Sequence, residues 1–85
     1  MDRKEILEKL KEILKGNQFQ FIHDQIEHIN ENTSLIYDLV MDSIQILELL
    51  VSIEEVFGLS CRSEEFNVDL FDQVSNLVDF IEAKQ

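Results

Sequence analysis

The chain of 85 residues contains no proline, two glycines and a single cysteine. Without proline no helix interior is forced to break, and with Cys61 alone no disulfide can close within the chain. Nothing points to an exported, disulfide-stapled domain. No apolar run approaches the roughly 18 residues of a membrane span, and Met1-Asp2-Arg3-Lys4-Glu5 lacks the apolar stretch of a signal peptide. The expectation is one domain over residues 1–85, cytoplasmic and not membrane-bound.

Positive charge is scarce too. Seven Lys and Arg face eighteen Asp and Glu, a net charge of −11. Arg3, Lys4, Lys9, Lys11 and Lys15 fall in the first fifteen residues, and between Gly16 and Cys61 there is no Lys or Arg against eight acids. Such a surface repels nucleic-acid phosphates and anionic lipid heads and attracts basic protein patches. No nucleic acid is expected as a partner.

What is present is apolar periodicity, in a chain 45% hydrophobic. Ile6, Leu7, Leu10, Ile13 and Leu14 lie at helical spacing, which predicts a first helix from about Asp2 to Lys15. Asp2 suits its N-cap, and Gly16 suits a left-handed residue after its end. Residues 17–41 form a long connection of weak periodicity. Ile22, Ile26 and Ile29 could share one side of a short helix there, with Phe19 and Phe21 anchoring the loop to the core.

A second helix is predicted from Ser43 to about Phe57, stopped by Gly58, with Leu59 placed for the apolar contact of such a stop. Ser63 before Glu64-Glu65 suggests the N-cap of a short third helix ending near Phe71. Asp72 would cap a fourth, from Gln73 to about Lys84, with Val74, Leu77, Val78 and Ile81 inward. The fold class is all-α: a four-helix bundle with a long first loop and a short third helix.

The second helix has two apolar sides. At roughly 100° per residue, Ile46, Leu49, Leu50, Ile53 and Phe57 form one stripe, assigned to the core. Ile44, Leu47 and Val51 lie opposite, beside Glu48 and Glu55 and flanked by Glu54. Either the long loop covers this second stripe or a few surface apolar residues carry no meaning, or it is a docking face suited to a basic, apolar groove on a partner.

Asp42-Ser43-Ile44 opens this helix. A serine at the first helical position keeps its oxygen at the surface near the positive end of the helix dipole, which favours a phosphate on or near it. Alone, an Asp-Ser pair is an ordinary helix start. The surrounding residues make it specific. Thr33-Ser34-Leu35-Ile36-Tyr37-Asp38-Leu39, the Asp42-Ser43-Ile44 motif, the run from Leu49 to Phe57-Gly58-Leu59, and Phe71-Asp72 through Phe80-Ile81 together resemble the acyl carrier protein family, including peptidyl carrier domains. The match is close from Ile29 onward and looser over the first helix.

The resemblance implies that Ser43 receives 4′-phosphopantetheine, whose thiol holds an acyl or aminoacyl group as a thioester. It implies a monomeric carrier rather than an enzyme, with no catalytic residues of its own. Its partners would be a phosphopantetheinyl transferase and acyl-transferring or synthase enzymes with basic docking patches. The expected partner-binding set is Asp38, Asp42, Ile44, Leu47, Glu48, Val51, Glu54 and Glu55.

Four positions depart from the family's pattern. Val40 stands where a glycine is usual, Arg62 where a proline is usual, Ile44 in place of the commoner leucine, and Gln45 where many fatty-acid carriers have another acid. These departures point to a specialised lipid, polyketide or peptide pathway rather than housekeeping fatty-acid synthesis.

Other classes find little support. His23 and His28 lie in the weakly structured loop with no visible catalytic constellation. Two histidines five apart and one cysteine do not make a zinc site, and the paired acids lack a calcium-loop pattern, so no metal is expected. Cys61 reads as core. The competing reading is a carrier-like module that binds proteins and is never modified.

Overall fold

The computed structural model describes residues 2–61 and 67–85, with Val68 described by its backbone alone. Helix α1 runs Arg3–Leu14, α2 Ser43–Phe57, α3 Val68–Asp72 and α4 Val74–Lys84. Among the described residues there is no strand, and none of the helices is long and apolar enough to cross a membrane. The first loop carries a further helix of 3-10 type over Asn17–His28, kinked at Phe19.

Asp2 caps α1 as the sequence suggests, accepting from the Glu5 N–H at 2.9 Å. Helix α1 lies against α2, α4 and the 3-10 helix, and α3 packs on α4. Ile6, Leu10, Ile13 and Leu14 are buried from α1, and Leu49, Leu50 and Ile53 from α2. Val74, Leu77, Val78 and Ile81 are buried from α4, the four positions the helical spacing selects. Cys61 is half-buried against this core.

Several expectations need correction. Gly16 is not left-handed: α1 ends at Lys15 in the right-handed region, and Gly16 is extended, with φ −65° and ψ 160°. The chain enters the 3-10 helix directly at Asn17. What Gly16 supplies is room, since a Cβ there would lie 3.1 Å from the Ile13 carbonyl oxygen. Phe19 is an anchor, wholly buried, but Phe21 is exposed. At three residues per turn Phe19 and Ile22 stack on one side, and Phe21 falls off it.

Helix α3 is capped by Asn67, whose side chain accepts from the Leu70 N–H at 3.1 Å. The expected cap at Ser63 and first turn at Glu64-Glu65 lie outside the described residues. Asp72 is the last residue of α3 and does not cap α4; Gln73 stands between the helices, and its side chain makes no capping bond. A side-chain cap is dispensable because the long loop does its work. The N–H groups of Val74 and Ser75, orphan donors at a helix start, reach the carbonyls of Thr33 and Glu31, both at 2.8 Å.

Arg3 ties the same region together. Its guanidinium pairs with Glu31 of the loop and with Asp79 and Glu82 of α4. Hydrogen bonds to Glu31 and then Asp79 hold its pKa above the ordinary arginine value. The contacts with Asp79 and Glu82 are exposed and that with Glu31 is half-buried, so together they contribute modestly to stability.

Candidate functional site

The segment before α2 is built as a tight reversal. The Ser34 hydroxyl accepts from the Tyr37 N–H at 3.0 Å, and Asp38 reaches back to accept from the Ser34 N–H at 2.7 Å. Leu35, Leu39 and Met41 point into the core, while Tyr37 and Val40 are 75% and 72% exposed. Val40 is held at φ +54°, the one non-glycine residue at positive φ among those described. A β-branched side chain is strained there.

Asp42 then caps α2. Its carboxylate accepts from the Gln45 N–H, and the Gln45 side-chain oxygen accepts from the Asp42 N–H, both at 2.9 Å. This reciprocal box satisfies donors that would otherwise be orphaned. Gln45, at first sight only a departure from the family pattern, closes it. The Asp-x-x-Gln spacing was readable in the sequence as this signal. At the other end Gly58 takes the left-handed conformation, φ +65°, and the Leu59 N–H donates to the Glu54 carbonyl at 3.1 Å.

Ser43 is the first residue of α2 and is exposed. Among the described residues no side chain hydrogen-bonds to its hydroxyl. The capped helix start leaves that hydroxyl in solvent at the positive end of the helix dipole. Its surroundings fit a phosphodiester-linked group: space outside, no competing partner, and the helix held open at its first turn by Asp42 and Gln45 rather than by the serine.

The outward stripe of α2 is uncovered. Ile44 is 68% exposed, Leu47 and Val51 each 52%. With Glu48, Ser52, Glu55 and Gln18 of the 3-10 helix they line an open groove of about 500 Å³. The long loop does not cover this stripe, because its helix buries Phe19, Ile22 and Ile26 elsewhere in the core.

The predicted partner-binding residues therefore divide. Ile44, Leu47, Glu48, Val51 and Glu55 share the groove, with Asp42 at the helix start beside it. Glu54 is half-buried, and its carboxylate accepts from the Cys61 N–H at 2.9 Å, closing the turn after α2. Asp38 is exposed but has one oxygen engaged by Ser34. Tyr37, Val40 and, at the far end of α2, Val56 are exposed apolar residues that helical spacing did not single out. The described residues contain no group of three or more His, Cys, Asp or Glu that could hold a metal ion.

A small helical bundle that displays an unencumbered serine at a capped helix start, beside an apolar and acidic groove, has the architecture of a carrier domain. Residues 4–82 match the family described as a phosphopantetheine attachment site. The chain is 32% identical over 83 residues to the acyl carrier protein of Coprothermobacter proteolyticus, covering 98% of this chain and 94% of that one. It is 33% identical over 85 residues to the acyl carrier protein of Rubrobacter xylanophilus, covering 100% and 98%, and 31% identical to that of Lactobacillus acidophilus, covering 100% and 99%. The chain belongs to the acyl carrier protein family, whose prosthetic group is a covalently attached 4′-phosphopantetheine.

Proposed function

We propose that Ser43 is the residue to which 4′-phosphopantetheine is joined, and that the chain carries acyl or aminoacyl groups to partner enzymes. The observation that carries this is the exposed, unengaged hydroxyl at the first position of a side-chain-capped helix. When bound, the arm supplies a thiol that holds the cargo as a thioester. Ser43 anchors it, Asp42 and Gln45 hold the helix start rigid, and the helix dipole favours the phosphate next to it.

Partners dock on the outward face of α2. Glu48 and Glu55 meet basic side chains, and Ile44, Leu47 and Val51 enter an apolar recess. Asp42 adds charge at the serine end. Asp38 and Glu54 contribute field more than contact, since they lie outside the groove and, at Glu54, the carboxylate is half-buried and bonded to the Cys61 N–H. The pathway served is a specialised one for lipid, polyketide or peptide assembly rather than housekeeping fatty-acid synthesis. This is supported by the altered surface around the serine, with Val40, Ile44 and Gln45 in place of the family's usual residues.

Co-expression with a phosphopantetheinyl transferase, followed by intact mass measurement, tests the attachment. The mass is expected to rise by one phosphopantetheinyl group, and Ser43→Ala is expected to abolish the increase while leaving the helical circular dichroism intact. A Ser43→Ala protein that is still loaded would move the site elsewhere. A wild-type chain that no transferase loads would instead be an unmodified binding module.

A further inference from the structure

Val40 combines two costs with no visible return inside the protein. Its backbone is left-handed at φ +54°, which strains a β-branched residue, and its side chain is 72% exposed, so packing does little to offset the strain. The neighbours dictate the reversal: Leu39 and Met41 are buried on either side, and the Met41 N–H donates to the Leu35 carbonyl at 3.0 Å. The bend is required there, but a valine is not, because glycine makes the same bend without strain.

Its place explains what the side chain could serve. Three peptide units separate Val40 from Ser43, so the two Cα atoms lie within about 11 Å of each other. Ile44, also prominently exposed, follows the serine directly. An enzyme that closes over the Ser43 hydroxyl covers both apolar side chains together with the exposed acids Asp42 and Glu48.

We propose that Val40 is a recognition residue for the transferase that loads Ser43. With Ile44 it fills an apolar recess at the mouth of that enzyme's active site, while Asp42 and Glu48 face basic side chains. This rests on Ser43 being the attachment residue. In the loading step the Ser43 Oγ bonds to the β-phosphorus of coenzyme A and the pyrophosphate P–O bond breaks. Adenosine 3′,5′-bisphosphate leaves with that bond's electrons, and the hydroxyl proton passes to a base of the transferase. Val40 takes part by binding, not by bond-making.

The test uses the full chain, a phosphopantetheinyl transferase that loads the wild type, and fluorescent coenzyme A. Melting temperature and loading kcat/KM are measured for Val40→Gly, Val40→Asn, Val40→Leu and Val56→Ala. Glycine and asparagine both tolerate the left-handed backbone, so both are expected to melt higher than wild type. Both are also expected to load about tenfold more slowly, the loss of one buried aliphatic contact. Leucine is expected to keep the wild-type rate within about twofold, since it retains an apolar knob. Val56→Ala, some 13 residues or about 20 Å along the helix from Ser43, is expected to leave the rate unchanged. Equal rates for wild type, Val40→Gly and Val40→Asn overturn the proposal, as does a Val40→Gly protein that melts no higher or a Val56→Ala protein that loads as slowly. Those results leave the attachment reading standing. A wild type that no transferase loads removes both.

Discussion

Arg3 and Lys9 of helix α1 reach back onto the protein, whereas α2 leaves two of its acids facing solvent. Arg3 reaches Glu31, Asp79 and Glu82, Lys9 lies 5.8 Å above the Phe57 ring, and Lys15 pairs with Glu12. On α2, Glu48 and Glu55 line an open groove beside three exposed aliphatic residues. Both helices bury one stripe, so the difference is not in how they are held. The charges of α1 help to position helices and loop, while the outward charges and apolar residues of α2 remain available to another molecule. A helix that only had to fold would need one apolar side.

The contrast breaks most visibly if α2 is truncated on each side in turn. Ile53→Ala, at a wholly buried position, is expected to cost about 2–5 kcal/mol of stability. Val51→Ala, half exposed, is expected to stay within about 0.5–1 kcal/mol, yet to weaken partner binding. Urea denaturation of the two variants measures this. Equal losses would mean that the outward stripe is buried in solution.

Charge changes should separate the helices next. Arg3→Gln is expected to lower the melting temperature, with a deficit that narrows as salt screens the contacts it removes. Glu48→Lys is expected to leave the melting temperature nearly unchanged and to weaken association with a basic partner, again less so in high salt. Thermal melts paired with binding isotherms distinguish them. An Arg3→Gln protein indistinguishable from wild type in both would put α1's charges on the same footing as α2's.

The smallest effect concerns the acidic stretch as a whole. With no Lys or Arg between Gly16 and Cys61, mutual repulsion should make the wild-type melting temperature rise modestly with salt. It should rise further with a divalent cation at equal ionic strength, through loose association with the acids near α2. A melting temperature flat in both would show that Arg3 and its neighbours already neutralise the fold.

Helix α2 was legible from end to end, because everything that defines it is local: Asp42 before it, Gly58 after it and the apolar stripe between. The inward residues of α4 were legible for the same reason. Its start was not, since the donors of Val74 and Ser75 are satisfied by carbonyls more than forty residues away, and no local spacing reports such a partner. In the long connection the spacing of Ile22, Ile26 and Ile29 showed a short helix and its buried side, but not its 3-10 form or that Phe21 faces outward. Asp38 and Glu54 look like docking acids in the sequence. What engages each is a backbone N–H, that of Ser34 in one case and of Cys61 in the other, and the folded turn alone places it.

The carbonyls of Glu31 and Thr33 that receive the first amides of α4 bear on how the protein comes apart. Because α4 lacks a side-chain cap, its first turn and the loop before α2 share hydrogen bonds that neither can keep alone. Fraying, which ordinarily begins at a helix end, is here joined to release of the segment at Glu31 and Thr33, which leads toward Ser43. The Leu35 N–H, bonded to the Phe71 carbonyl at 3.2 Å, brings α3 into the same union. Loop, α3 and the start of α4 are therefore expected to open together, and the platform under the serine holds only while these shared bonds do.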